Sequence, residues 1–141
     1  MKNRKYFIVF CLMSAMFVNN VKAEKITFKV EINNVTKGGG KIYVGIYNNE
    51  NSYKSTIPDI KLQQDANKTT IIVEVTLPEG EYVINAYQDS NGNGKLDFGF
   101  LGIPKEPSGI TNYNGKGIPG NFNKLKVKVD KNTQKITVNL Y

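Results

Sequence analysis

The segment from residue 89 to residue 97 carries oxygen-bearing side chains at alternate positions. Calcium takes six to eight oxygen ligands, and alternate side chains of a tightly turning loop can converge on one ion. Gly94 stands where such a loop turns sharply, and the apolar Leu96 suits a residue that anchors the loop to a core. The pattern D-x-N-x-N-G therefore predicts a calcium-binding loop. Its predicted ligands are Asp89, Asn91, Asn93, the backbone carbonyl of Lys95, and Asp97.

The second half of the pattern departs from an EF-hand. An EF-hand has a bidentate Glu at its twelfth position, where this chain has Phe100. We expect the missing ligand to be Glu106, or Asp97 to bind with both oxygens. The predicted role of the ion is structural, because calcium activates water poorly compared with zinc. A turn without an ion is the alternative, since Asn-Gly pairs are common turn residues.

Other metals fit this segment less well. The only cysteine, Cys11, lies near the start of the chain, and there is no histidine, so the ligands that zinc prefers are missing. Magnesium takes fewer protein ligands and requires stricter octahedral geometry.

The elements that position this loop are predicted to be β-strands, because apolar and polar residues alternate with period two and no convincing amphipathic helix is present. Turn residues recur every 8 to 12 positions over much of the chain. The pattern predicts an all-β fold, a single antiparallel β-sandwich of six to seven strands with Ig-like or transthyretin-like topology. An open barrel is the alternative. The predicted strands are 26–32, 41–47, 69–77, 81–88, 124–129 and 135–141, with a possible short one at 60–62, and residues 130–133 are predicted to form a hairpin turn between the last two.

Residues 98–123 do not follow the strand pattern. This segment is rich in glycine and proline, yet it also carries large apolar residues. Long irregular segments inside a compact domain are usually functional or disordered, and a disordered linker would be less apolar. We therefore expect an ordered loop folded over one end of the sandwich.

The N-terminus has the layout of a secretory signal, with a basic start, an apolar run over 6–18 and small residues ending at Ala23. That run is short of the roughly 20 residues that cross a membrane. We expect residues 1–23 to be a signal peptide and residues 24–141 to be one secreted or periplasmic domain without a membrane span. An uncleaved N-terminal anchor is the alternative.

The charge of the domain excludes an extended nucleic-acid footprint. Four of the nineteen basic residues lie in 1–23, so fifteen remain against twelve acidic ones, a net charge of about +3. The lack of histidine excludes Ser-His and Cys-His catalytic pairs. We therefore expect a non-enzymatic protein, and the least favoured alternative is a hydrolase that uses Asp97 and Glu106 as a carboxylate pair.

Three stretches together resemble a known family. They read L-P-E-G-E-Y at 77–82, D-S-N-G-N-G-K-L-D at 89–97 and L-G-I-P-K-E-P at 101–107. The chain thereby resembles the bacterial exported proteins catalogued as domain of unknown function 2141. The resemblance implies a secreted or periplasmic β-sandwich and supplies no catalytic mechanism. Members often have histidine before the first aspartate, where this chain has Gln88.

Three functions follow as hypotheses. The first is a cell-envelope binding or structural module, in which the calcium-type loop orders residues 98–123 as a surface for an envelope protein or polysaccharide. The second is a carrier or sensor with a small apolar ligand under that segment, which requires a closed apolar pocket. The third is the hydrolase, which requires two carboxylates in an open cleft.

Overall fold

The computed structural model describes residues 23–141. The predicted signal peptide, residues 1–23, lies outside the described residues apart from Ala23. The described part contains eight strands, two α-helices of about one turn each and a 3-10 turn at Phe100–Gly102. The strands are β1 Lys25–Asn33, β2 Lys41–Tyr47, β3 Ile60–Asp65, β4 Ile71–Pro78, β5 Gly80–Asp89, β6 Ser108–Ile110, β7 Val127–Val129 and β8 Lys135–Asn139, and the helices are α1 Glu50–Lys54 and α2 Phe122–Leu125.

The strands form two sheets, which confirms the prediction of an all-β sandwich. One sheet has the order β4-β1-β8, and the other has the order β3-β2-β5-β6, with β7 also paired to β5. The pairing is antiparallel except between β1 and β8, which run parallel. The structure has eight strands where the sequence predicted six to seven, because β6 lies within the segment predicted to be a loop.

The prediction of a hairpin at residues 130–133 was wrong. β7 pairs with β5 in one sheet, whereas β8 pairs with β1 in the other, so these residues carry the chain from sheet to sheet. Asp130 accepts a hydrogen bond from the backbone N–H of Asn132, and Thr133 accepts one from that of Asp130. These side-chain bonds support a tight turn whichever sheet the next strand joins.

The core lies between the two sheets and follows the predicted alternation. In β1 every second residue is buried; its neighbours β4 and β8 add core residues from the same sheet, and β2 and β5 contribute those of the facing sheet. Both sheets and this core lie within residues 24–141, so that part of the chain contains a complete hydrophobic core. Its largest fully buried side chains include Ile32, Ile42, Ile46, Leu77, Ile84 and Val138.

A second apolar cluster covers the outer face of β5. Tyr47 and Val83 pack there against Phe122 and Leu125 of α2. The buried Thr111 connects the layers, since its hydroxyl donates to the carbonyl of Leu125 at 2.8 Å and accepts from the N–H of Ile84 at 3.2 Å. Residues 98–123 are therefore packed onto the sandwich over part of their length.

The start of β7 was predicted too early. The sequence suggested a strand over 124–129, but residues 122–125 form the one-turn α2 and β7 begins at Val127. Asn121 caps α2, because its side-chain oxygen accepts from the N–H of Lys124 at 3.1 Å.

The two sheets meet along the end of the chain. The backbones of Ser108 and Tyr141 exchange hydrogen bonds of 3.3 and 3.1 Å. Gly109 of β6 lies very close to Asn139, the last residue of β8. A Cβ on Gly109 would be 2.0 Å from the carbonyl oxygen of Asn139. This contact joins β6 of one sheet to the segment that follows β8 of the other. Within the described residues, no helix has the length and apolar character needed to cross a membrane.

Candidate metal centre

The predicted metal loop begins where β5 ends, at one end of the sandwich. Asp89 is the last residue of β5 and pairs with Lys41 at the start of β2. Gly40 has a φ of +92°, and a Cβ there would lie 2.0 Å from the carbonyl oxygen of Asp89. Only glycine permits both the left-handed backbone and this close approach. The first predicted ligand is thus fixed to the sheet by its backbone.

The carboxylate of Asp89 organises the loop from inside. The residue is only 2% exposed, and its two oxygens accept three backbone hydrogen bonds. Oδ1 accepts from Gly92 at 2.9 Å and from Asn93 at 3.1 Å, and Oδ2 accepts from Gly94 at 2.8 Å. A carboxylate has about four lone-pair sites, so one remains for a further partner.

Three further predicted ligands meet at a single oxygen atom. The side-chain amides of Asn91 and Asn93 both donate to Oδ2 of Asp97, at 2.7 and 2.8 Å. Their amide oxygens accept from the loop backbone, namely from the N–H groups of Asn93 and Lys95. Rotating either amide by half a turn would bring its oxygen to face Asp97. If both amides rotated in this way, their oxygens and the carboxylate of Asp97 would form a cluster of oxygen atoms.

Glu106 returns to the loop from the long segment, as the sequence suggested. The residue is 7% exposed, and its carboxylate accepts backbone hydrogen bonds from Ser90 at 2.9 Å and from Asp97 at 3.3 Å. The N–H of Lys105 also donates to the carbonyl of Asp97 at 2.8 Å. Glu106 thus ties the first and last parts of the loop together, and its role as a metal ligand stays a prediction.

Tyr87 adds a contact that the sequence did not indicate. Its hydroxyl donates to the carbonyl of Gly94 at 3.2 Å, and its ring stacks on Tyr43 with centroids 5.2 Å apart. Burial raises the pKa of Tyr87 to about 12, and the neighbouring Tyr43 and the carboxylates of Asp89 and Glu106 act in the same direction. The hydroxyl therefore stays protonated and remains a donor at any neutral pH. The only sequence signal was the cross-strand position of two tyrosines.

Gln88, the residue before the first predicted ligand, has a structural role. Its fully buried side chain accepts from the N–H of Thr36 at 2.9 Å and donates to the carbonyls of Thr36 and Gly39 at 2.7 and 2.9 Å. All its amide interactions thus go to the turn that precedes β2. The residue holds that turn against the start of the predicted metal loop.

The donor set restricts which cation could bind. No three histidine, cysteine, aspartate or glutamate side chains within residues 23–141 lie close enough together to hold a metal ion. A cation at this loop would have to take amide and carbonyl oxygens beside its carboxylates. Hard cations such as calcium accept such neutral oxygens, whereas zinc favours nitrogen and sulfur.

An exposed apolar hairpin follows the loop directly. In residues 98–104 Phe98 pairs with Pro104, and the N–H of Gly99 donates to the carbonyl of Ile103 at 2.7 Å. Leu101 turns the chain with a φ of +61°, a left-handed conformation that is unusual for leucine. The side chains of Phe98, Phe100, Leu101 and Ile103 are all exposed.

The geometry gives little support to the other two hypotheses. The two cavities described, of about 400 and 250 Å³, are open to solvent and are lined by residues of β2, β3 and their adjoining turns, not by residues 98–123. The carboxylate of Glu106 is buried on backbone N–H groups, whereas a glycosidase-type pair faces a cleft.

Comparison with known proteins gives one match. The family model described as "Uncharacterized protein conserved in bacteria (DUF2141)" matches residues 30–137. No curated protein and no solved structure matches the chain significantly.

Proposed function

The chain belongs to this uncharacterized bacterial family, and on that premise we propose that it is an exported, non-enzymatic binding or structural module of the cell envelope. Its 89–97 loop binds calcium, and the ion orders the segment that starts at Phe98. Export rests on the layout of residues 1–23, and protein recovered from expressing cells should begin at Glu24 by N-terminal sequencing. A mature protein that still begins at Met1 would contradict cleavage.

The observation that carries the proposal is the direct connection between the loop and the exposed hairpin. Asp97 ends the loop, and both of its backbone groups bind the returning segment: its N–H donates to the carboxylate of Glu106 and its carbonyl accepts from the N–H of Lys105. Phe98 is the next residue and the first of the hairpin. Whatever fixes Asp97 also fixes the base of the hairpin.

Calcium would act on this connection through the side chain of Asp97. In the structure Asn91 and Asn93 donate to that carboxylate, so two neutral amides solvate its charge without neutralising it. A bound cation would neutralise this charge and would draw the amide oxygens towards itself. The buried Asp89 already holds the loop backbone in its turn, which lowers the entropy lost on binding.

The exposed hairpin supports a binding surface over a carrier. Soluble monomers seldom expose contiguous large apolar side chains without a use for them. Here Phe98, Phe100, Leu101 and Ile103 lie outside the core on one short hairpin. A carrier for an apolar ligand would instead turn such side chains inward.

Thermal unfolding of residues 24–141 tests the calcium site. Extracellular modules bind calcium with dissociation constants of about 0.1 to 1 mM. At 5 mM calcium a ligand of the folded state then stabilises by about 1 to 2 kcal/mol, which raises the midpoint by roughly 3 to 8 °C over EDTA. Magnesium at 5 mM serves as the control, and Asp97→Asn should remove the calcium-dependent rise. Equal midpoints in EDTA, calcium and magnesium would rule out the site.

A further inference from the structure

The hairpin of residues 98–104 exposes its apolar side chains to solvent. Phe100 is 86% exposed and Leu101 is 81% exposed, and Phe98 and Ile103 follow at 56% and 63%. No residue of this hairpin lines either of the two cavities described. A protein partner usually buries about 800 Å² of each surface, far more than a single hairpin tip supplies. The shape favours a partner that a small apolar protrusion can enter.

The size of the hairpin matches the interface of a lipid bilayer. From Phe98 to Phe100 the chain spans two residues, about 7 Å of extended backbone, before the tight turn at Phe100–Gly102. Apolar faces of interfacial segments reach about 5 to 10 Å below the headgroups. Three of the hairpin N–H groups, those of Gly99, Gly102 and Ile103, already donate within the hairpin, so fewer polar groups lose water on entry.

The charges around the hairpin are suited to anionic headgroups once calcium is bound. Asp89, Asp97 and Glu106 give its base three negative charges, and the exposed Lys95 and Lys105 give two positive ones. The base therefore has a net charge of −1 alone and +1 with one bound calcium ion. The alkyl chain of Lys105 runs beside Gly99, where a Cβ would lie 3.6 Å from its Cε atom. Such a lysine can keep its ammonium at headgroup level while its stem lies in an apolar layer.

We propose that the 98–104 hairpin inserts into the interfacial layer of an anionic lipid bilayer, with Phe100 and Leu101 deepest and Lys95 and Lys105 at the headgroups. The calcium dependence of this binding rests on the proposed function, whereas the insertion itself rests only on the exposed hairpin. In this proposal the bilayer is the binding partner of the exposed 98–104 hairpin.

Fluorescence of a single tryptophan tests the insertion. The chain has no tryptophan, so Phe100→Trp in residues 24–141 introduces one fluorophore at the tip. Ile118→Trp is the matched control, because Ile118 is 94% exposed but lies outside the hairpin. Both proteins are titrated with vesicles of phosphatidylcholine alone and of phosphatidylcholine with phosphatidylglycerol at 3:1, each in EDTA and in 2 mM calcium. We expect the emission of Phe100→Trp to move to shorter wavelength with the anionic vesicles in calcium, and the emission of Ile118→Trp to stay constant.

A loss variant links the signal to the hairpin. Phe100→Ser with Leu101→Asn removes two apolar side chains, and asparagine tolerates the left-handed backbone at position 101. Because both residues are exposed, the unfolding midpoint should not fall. Co-sedimentation with anionic vesicles should weaken by a factor on the order of ten or more.

The outcomes separate the two proposals. A shift of Phe100→Trp that is equal in EDTA and calcium supports insertion and contradicts the calcium switch. An absent shift at several millimolar lipid, or an equal shift of Ile118→Trp, overturns the membrane proposal and leaves a protein as the partner of the hairpin. The unfolding experiment in calcium decides the metal site in either case.

Discussion

Replacing Asp89 should destabilise the protein even when no calcium is present. Its buried carboxylate accepts three backbone hydrogen bonds of 2.8 to 3.1 Å. Hydrogen bonds to a charged group contribute about 1.5 to 3 kcal/mol each, so three at the lower limit give about 4.5 kcal/mol. The donors belong to exposed residues, whose N–H groups can bind water after the change. We therefore expect Asp89→Ala to lower the free energy of unfolding by about 3 kcal/mol and the midpoint by roughly 10 °C.

Two further variants sharpen this prediction. Asp89→Asn keeps the size of the side chain and one acceptor oxygen, so it should lose about half as much stability as Asp89→Ala. Asp65→Ala removes a carboxylate from an exposed position of β3 and should change stability by less than about 0.5 kcal/mol. Urea unfolding followed by circular dichroism in EDTA measures all three. If Asp89→Ala and Asp65→Ala cost the same, the carboxylate of Asp89 does not organise the loop.

Two other predictions concern the packing of the sandwich and its response to pH. Gly109→Ala should lower the free energy of unfolding by at least about 2 kcal/mol, because its Cβ would overlap the carbonyl of Asn139. Gly99→Ala is the control: its Cβ would make ordinary contacts of 3.5 Å or more, so its free energy of unfolding should be nearly unchanged in the same urea experiment. Tyr87 has a pKa raised from 10.0 to about 12, so the unfolded chain loses that proton first and the folding free energy from this group falls between pH 10 and pH 12. Tyr87→Phe should therefore lose stability less steeply than the unchanged protein across that range, and parallel curves from thermal unfolding at each pH would contradict the raised pKa of Tyr87.

The strands could be predicted from the sequence, but their partners could not. The alternation in β1 and β2 identifies which residues face the core, since a half-buried strand needs one apolar face. The same alternation does not indicate which strand lies next to which in a sheet. The parallel pairing of β8 with β1 depends on how two complete sheets pack, and neither strand carries a local signal for it.

The loop could be located from its residue types, but its internal order could not. The D-x-N-x-N-G spacing places Asp89, Asn91, Asn93 and Asp97 in one turn, and the structure brings the last three to a common oxygen. The burial of Asp89 depends on its position at the end of a central strand. The hairpin turn at Leu101 was equally hidden, because a left-handed residue is usually predicted only at glycine or asparagine.

The parallel pair of β1 and β8 separates the two ends of the described chain. β1 runs from Lys25 to Asn33 over about 30 Å, and the chain then turns into β2 beside Asp89. A tag or reporter fused before Glu24 therefore leaves the hairpin free, whereas one fused after Tyr141 lies beside Ser108, close to the loop. The same distance gives the molecule a direction: the start of β1 lies at one end of the sandwich, and the loop that carries the hairpin lies at the other.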